Sequence, residues 1–223
     1  MVERLIKSGA NIDEKCNEGE TALMKAAYDG NEGCIELLIA AGADIHLRNN
    51  AGRTALMIAS FTGYLHTIDR LFKLGAALDA KCNEGKTALM LATANGDIDT
   101  VELLIATKAD LNLCDDNGLS ALMISCQHPE CSHVAAALME AGADLELKCF
   151  IHQKTALSYA CEISPCAARS LLFYEADTNP VDNLGKTPLM LAVEADLPAS
   201  VEIAIELIKA GCKYSDVTTS DVQ

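Results

Sequence analysis

A phrase of nine residues recurs along this chain, and its spacing constrains the fold more than any other feature. "GETALMKAA" begins at residue 19, "GRTALMIAS" at 52, "GKTALMLAT" at 85 and "GLSALMISC" at 118, a strict period of 33. "QKTALSYAC" at 153 and "GKTPLMLAV" at 185 continue the series with small shifts. A fixed period of roughly 20 to 50 residues is the signature of a repeat array. The chain is therefore predicted to build its core by stacking successive units.

Each unit carries signals for two helices joined by a tight turn. Thr21 precedes an apolar segment, where its hydroxyl can cap exposed helix amides. Gly30 allows a turn into a second segment, in which Ile35 and Leu38 lie three residues apart on one face. Gly42 follows as a left-handed C-terminal cap. One such helix pair cannot bury its own apolar face, so neighbouring pairs must supply the core.

A second phrase closes each unit, for example "LLIAAGADIH" ending at residue 46 and "LMEAGADLE" ending at 146. This pairing resembles the ankyrin repeat, which opens Gly-x-Thr-Pro-Leu-His and closes Leu-Leu-x-x-Gly-Ala-Asp. The resemblance implies an all-α repeat solenoid of stacked helix-turn-helix pairs with β-hairpin fingers. We expect one ankyrin-repeat domain over residues 1–214 and a polar tail over 215–223. Its parts are a half repeat at 1–18 and full repeats at 19–51, 52–84, 85–117, 118–152, 153–184 and 185–214.

Several positions depart from the family pattern. The motif histidine is replaced by methionine in five repeats and by Ser158 in the remaining one; the methionines are Met24, Met57, Met90, Met123 and Met190. A methionine binding groove is conceivable because methionine surfaces are adaptable. A buried stripe at repeat spacing is the favoured interpretation. Lys108 and Glu175 stand where other repeats have a left-handed glycine, at a cost of about 1 kcal/mol each.

The first residues, "MVERLIKSGANID", match the second helix of a repeat without its first helix. A solenoid normally ends in a polar capping element. Two explanations are left open: the chain belongs to a longer protein, or Val2, Leu5 and Ile6 pack on another surface.

Composition excludes several classes of function. The net charge is −15, with 17 basic against 32 acidic residues, so a dominant basic stripe for nucleic acid is not expected. No apolar run approaches the roughly 20 residues of a membrane-spanning helix. The N-terminal stretch has acid and base inside its apolar part, so a signal peptide is not expected. The ten cysteines form no Cys-x-x-Cys pair, which favours free thiols in the cytoplasm, with the nucleus as an alternative.

Gly85-Lys86-Thr87 matches the end of a phosphate-binding loop. That motif needs a glycine five residues before the Gly-Lys pair, and Ala80 holds the position. The residue between glycine and threonine also varies among the repeats. The tripeptide is therefore interpreted as a repeat joint, and no cofactor is expected.

Cys126, His128, Cys131 and His133 form the only Cys/His cluster. Two thiolates and two imidazoles could bind zinc. However, Cys126 falls at a small, buried position of a first helix, so a structural role is favoured and metal binding stays open. No serine elbow or catalytic cysteine signature occurs, and the chain is predicted not to be an enzyme.

The remaining candidate is the surface that ankyrin-like proteins use for partners, namely the finger tips and the inner row of helices. We predict a monomer that binds another protein, one with a basic surface. The alternative is a regulatory segment of a larger enzyme or channel whose active domain lies outside this chain. The predicted contact residues are Asn17, Glu18, Glu20, Tyr28, Asp29, Arg53, Phe61, Glu84, Lys86, Phe150 and Ile151.

Asn112 and His46 are candidate sites of modification. The resemblance implies that an asparaginyl hydroxylase acting on ankyrin fingers could modify Asn112, which follows a leucine and an acid at the preferred spacing. His46 occupies the same position two repeats earlier. The favoured alternative is an unmodified finger residue bonded within its own turn.

Overall fold

The computed structural model describes residues 9, 11–195 and 197–212. This part of the chain contains twelve α-helices, arranged as six successive helical hairpins. The hairpins are α1 (Ala22–Tyr28) with α2 (Glu32–Ala40), α3 (Ala55–Thr62) with α4 (Leu65–Lys73), α5 (Ala88–Ala94) with α6 (Ile98–Ala106), α7 (Ala121–Cys126) with α8 (Ser132–Glu140), α9 (Ala156–Ile163) with α10 (Pro165–Phe173), and α11 (Pro188–Glu194) with α12 (Ser200–Lys209). None of the described helices has both the length and the apolar character needed to cross a membrane.

The chain divides into two compact units, residues 1–110 and residues 111–223. In the first unit, α1, α3 and α5 pack side by side, and α2, α4 and α6 form a second row against them. In the second unit, α7, α9 and α11 form the row of first helices, while α8, α10 and α12 form the other. Within each unit the stacking of hairpins supplies the core, so the predicted all-α repeat solenoid is confirmed.

A hydroxyl side chain caps each first helix, as the sequence predicts. Its oxygen accepts a hydrogen bond from the backbone N–H three residues later, which satisfies one of the amides that a helix start leaves open. For Thr87, the partner is the amide of Met90, at 3.4 Å. The six capping residues are Thr21, Thr54, Thr87, Ser120, Thr155 and Thr187.

The methionine stripe belongs to the core. Met24, Met57, Met90 and Met123 are each 1% exposed, and Ser158 at the equivalent position is fully buried. Met190, in the sixth repeat, is only half-buried. Methionine therefore replaces the family's histidine as a packing residue, which confirms the structural interpretation for the first four repeats.

The left-handed residues after the second helices adopt the expected backbone. Gly42 has φ of 92°, and Lys108 and Glu175 have φ of 70° and 61° at the equivalent place. A side chain in this region clashes with its own carbonyl group, at a cost of about 1 kcal/mol. The third and fifth repeats therefore carry a local strain that the repeats with glycine avoid.

Turns rather than strands form the fingers. Within the described ranges no strand occurs, and the single isolated β-bridge joins Cys114 and Ser120. Consecutive fingers are nevertheless joined by hydrogen bonds at repeat spacing. Asn83 donates its backbone N–H to the carbonyl of Ala51 at 3.0 Å and its amide Nδ2 to the carbonyl of Asn50 at 2.9 Å.

The same pair of hydrogen bonds recurs at two other asparagines. Asn50 donates to the carbonyls of Asn17 and Glu18, and Asn183 donates to those of Ile151 and His152. At these three positions a side-chain amide therefore holds the finger to the finger before it.

The fourth repeat has two local irregularities. A 3₁₀ turn, Pro129–Cys131, fills the longer connection between α7 and α8. In the longer finger that follows, Gln153 adopts φ of 55°, and its side-chain Nε2 donates to the carbonyls of Cys149 and Phe150 at 3.2 and 3.3 Å. The extra finger residue is thus absorbed by a turn that its own side chain closes.

Candidate functional site

Two of the predicted aromatic contact residues lie at equivalent places in the first unit. Tyr28 is the last residue of α1, and Phe61 lies near the end of α3. Their exposed fractions are 51% and 42%. Both lie seven residues after the capping threonine of their repeat, so stacking brings them onto the same row of helix ends. Neither ring contributes to the core.

A cation lies over each ring. Lys25 Nζ is 4.6 Å from the centroid of the Tyr28 ring, and the guanidinium carbon of Arg53 is 5.4 Å from that of Phe61. Such contacts between a cation and an aromatic face are worth about 0.5–1 kcal/mol at exposed sites. Asn95 donates its Nδ2 to the carbonyl of Phe61 at 2.6 Å, which ties this helix end to the next repeat.

The predicted acids of the first unit lie beside these cations. Asp29 pairs with Lys25 at 3.7 Å, and Glu84 pairs with Lys86 at 2.7 Å. Hydrogen bonding to Lys86 and its charge hold the pKa of Glu84 below the ordinary value, with Arg53 adding to the effect. Arg53, Glu84 and Lys86 therefore share one charged neighbourhood next to Phe61.

The other predicted finger residues have partly structural roles. The carbonyl groups of Asn17 and Glu18 accept the hydrogen bonds from Asn50. The carboxylate of Glu18 accepts from the thiol of Cys16 at 3.0 Å, and this bond lowers the pKa of Glu18. Glu20 is half-buried, and its carbonyl accepts from the amide of Cys16. The backbone of Asn17 and Glu18 therefore serves stacking, while their side chains stay exposed.

In the second unit the same surface positions carry ion pairs that the sequence analysis missed. Lys154 Nζ contacts both carboxylate oxygens of Glu162 at 2.6 and 2.8 Å, and Lys186 Nζ contacts Glu194 at 2.5 Å. Each pair joins the residue before the capping threonine to the residue eight positions later. Arg53 and Phe61 have the same separation, so an alignment of the repeats at these two positions could have revealed the pairing. We call these two positions, which belong to the same repeat, the i,i+8 pair.

The fourth repeat has neither ion pair nor aromatic ring at these positions. Its i,i+8 pair is Leu119 and Gln127. They line a pocket of about 220 Å³ together with Asn117, Cys149, Ile151, His152 and Tyr159. The neighbouring finger tip exposes Phe150 and Ile151 by 64% and 56%. Of these two predicted contact residues, Ile151 lines a concavity that the sequence did not indicate, and Phe150 precedes it in the same finger tip.

The Cys/His cluster does not form a joint site. Cys126 is fully buried, and this burial raises the pKa of its thiol to about 12. Cys131 is also buried, and burial again raises its pKa, whereas His133 is exposed. Within the described residues no group of three or more potential ligands is placed to hold a metal ion.

The candidate modification residues lie on exposed finger backbone. Asn112 accepts a hydrogen bond on its Oδ1 from the amide of Asp144 at 2.8 Å, so its side chain contacts the following repeat. Asp13 and Asp79 make the equivalent bonds to Asp44 and Asp110. His46 is exposed. Hydroxylation of Asn112 or His46 stays a prediction.

Comparison with known proteins agrees with this architecture. The profile of the family described as "Ankyrin repeats (3 copies)" matches residues 1–82 and 63–149. The crystal structure of an ankyrin repeat domain from Acinetobacter baumannii AYE is similar, with a TM-score of 0.78 and 26% sequence identity. The similarity covers 86% of this chain and 98% of that one. No curated protein matches. With two thirds of its length matched by the family profile, this chain belongs to the ankyrin-repeat family.

Proposed function

We propose that this chain is a non-catalytic module that binds a partner protein through the surface around Tyr28 and Phe61. Ankyrin repeats generally act as protein–protein interaction modules. The observation that carries the proposal is the repeated placement of a half-exposed aromatic ring at the end of a first helix, with a cation over it. Aromatic side chains and arginine are the residues that most often dominate interface energies.

The charges around the rings favour a partner with a basic surface. Four acids lie close to the cations of this surface. Glu18 and Glu20 line one concavity with Lys25, Asp29 pairs with Lys25, and Glu84 pairs with Lys86 and feels the charge of Arg53. The chain as a whole carries a net charge of −15. Acids at the edge of an interface raise the association rate and select against acidic partners, more than they raise affinity.

The proposal is tested by capture of partners on immobilised protein. Tyr28→Ala combined with Phe61→Ala should remove the captured partner, since truncation of a hot-spot residue costs about 2 kcal/mol or more. Folding should be kept because neither ring is in the core. Phe173→Ala is the matched aromatic control, because Phe173 is 82% exposed at the end of α10 in the other unit.

A second control tests the row formed by the second helix of each hairpin. Glu36 and Glu102 lie on α2 and α6, away from the aromatic rings, and both are exposed. Glu36→Ala combined with Glu102→Ala should leave capture intact. If these substitutions abolish capture and the aromatic pair does not, the proposed surface is wrong.

A further inference from the structure

We propose that the pocket beside the fourth finger binds one aliphatic side chain of a partner segment that carries basic residues on either side of it. The proposal rests on the proposed binding function and assigns chemistry to a different part of the surface. It follows from the finger geometry, the lining of the pocket and the charge of this unit.

The finger tip that borders the pocket is held in place from both sides. Phe150 donates its backbone N–H to the carbonyl of Asn117 at 2.8 Å. On the other side, Asn183 donates to the carbonyls of His152 and Ile151 at 2.9 and 3.0 Å. The side chains of Phe150 and Ile151 are therefore presented on a fixed backbone. A surface that is ordered before binding loses less conformational entropy when a partner docks.

The pocket exists because the i,i+8 pair of this repeat, Leu119 and Gln127, is uncharged. In the fifth and sixth repeats a lysine and a glutamate form an ion pair at the equivalent two positions. Leu119 and Gln127 cannot make that pair, and Leu119 instead provides an apolar wall together with Ile151. Repeats one, two and three have Glu20, Arg53 and Lys86 at the position of Leu119, so the apolar wall is specific to the fourth repeat.

The lining of this pocket contains no lysine, no arginine and no carboxylate. Among the lining residues, the phenol of Tyr159 contacts the thiol of Cys149 at 3.2 Å, and burial raises the pKa of the phenol well above its ordinary range. The nearby Lys154 is engaged by Glu162. An ionised side chain entering the pocket would lose hydration without gaining a counter-charge, which is strongly unfavourable.

Size and charge narrow the occupant further. The volume of about 220 Å³ is below the roughly 300–1,000 Å³ of pockets that hold whole small molecules, and it suits a single side chain such as leucine or methionine. Residues 111–223 contain 16 acidic against 6 basic residues, and Asp116 is exposed next to the lining residue Asn117. Basic residues beside the aliphatic anchor would therefore be attracted to this unit.

The test uses random linear peptides displayed on phage and selected on the intact chain. Enriched peptides should share an aliphatic residue flanked by lysine or arginine. Synthetic versions, labelled with a fluorophore, should lose affinity by about 30-fold or more on the double variant Leu119→Lys with Gln127→Glu. That variant copies the ion pairs of the fifth and sixth repeats, so we expect it to fold.

Two further variants make the result decisive. Ile151→Lys should weaken the same peptides, and because Ile151 is exposed at a finger tip its substitution spares the core. Leu184→Lys changes a 73% exposed leucine at the end of the fifth repeat and should leave affinity unchanged. Absence of any enriched peptide, enrichment without an aliphatic residue, or equal affinity for the wild type and both pocket variants would overturn the proposal.

The outcome is separable from that of the proposed function. Peptides that depend on Tyr28 and Phe61 but not on Leu119 would overturn the pocket and leave the aromatic surface standing. Peptides that depend on Leu119, together with partner capture insensitive to the aromatic pair, would support the pocket and remove the aromatic surface.

Discussion

The substitution Gly52→Ala should destabilise the chain more than an alanine at any open glycine position. Gly52 has φ of 75°, and a Cβ atom added there would lie 2.2 Å from Oδ1 and 2.6 Å from the backbone nitrogen of Asn83. Carbon cannot approach backbone nitrogen so closely, so the finger carrying Asn83 must move away. That movement breaks the two hydrogen bonds from Asn83 to the carbonyls of Asn50 and Ala51.

Gly42→Ala provides a matched reference for the size of this effect. Gly42 has φ of 92°, but an added Cβ there meets no atom within 4 Å. Its substitution should cost only the left-handed strain, about 1 kcal/mol. Gly52→Ala adds two lost hydrogen bonds of roughly 1 kcal/mol each, for a total near 3 kcal/mol. The effect of alanine on the unfolded chain is common to both variants, so the difference of about 2 kcal/mol is independent of it.

Urea unfolding followed by circular dichroism measures both variants on the same scale. We expect the midpoint for Gly52→Ala to fall clearly below that for Gly42→Ala. Equal losses would show that backbone strain alone limits these positions and that the contact between consecutive fingers contributes nothing. Amide exchange at Asn83 gives an independent check, because its protection should fall only in Gly52→Ala.

Three further outcomes follow from the repeats. Amide exchange should be faster across residues 124–182 than across 20–105, because the fourth and fifth repeats have irregular lengths and lack several turn glycines; uniform protection would contradict this. Thr87→Ala should lower the free energy of unfolding by about 1 kcal/mol, while Thr87→Ser keeps the cap and should lie within a few tenths. Burial raises the pKa of Cys126 from 9.0 to about 12, so unfolding at alkaline pH releases a proton. This contribution to the free energy of unfolding should therefore be fully present below pH 9 and be lost as the pH rises toward 12. Urea unfolding across that pH range should show a smaller fall for Cys126→Ala than for the wild type.

The fold could be predicted from sequence because its signals are local and repeated. The capping hydroxyl of Thr21, the turn at Gly30 and the left-handed residue at Gly42 each act within a few residues, and recurrence at 33 removes the ambiguity of a single occurrence. The burial of the methionine stripe followed from the same periodicity. The structure even keeps the left-handed backbone where Lys108 replaces glycine, since the neighbouring helices determine that turn.

The surface was less predictable, because it depends on contacts between residues far apart in sequence. The exposure of Tyr28 and Phe61 agrees with the predicted surface, but the pocket beside Leu119 and Ile151 needs the longer finger to fold over the helix end. The hydrogen bond from Asp144 to Asn112 joins residues 32 apart and was not anticipated either. The partner role of these surface residues stays a prediction.

The finger position occupied by Asn50, Asn83, Asn183 and Phe150 has a consequence for how this surface can change over evolution. Each asparagine uses both its backbone and its side-chain amide to hold the preceding finger, whereas Phe150 keeps the backbone bond alone. An aromatic substitution there gives up one hydrogen bond, on the order of 1 kcal/mol, and places a ring in solvent. Because the backbone bond persists, neighbouring fingers need not adjust. A lineage of such proteins can therefore acquire a new specificity in one repeat while the others keep theirs.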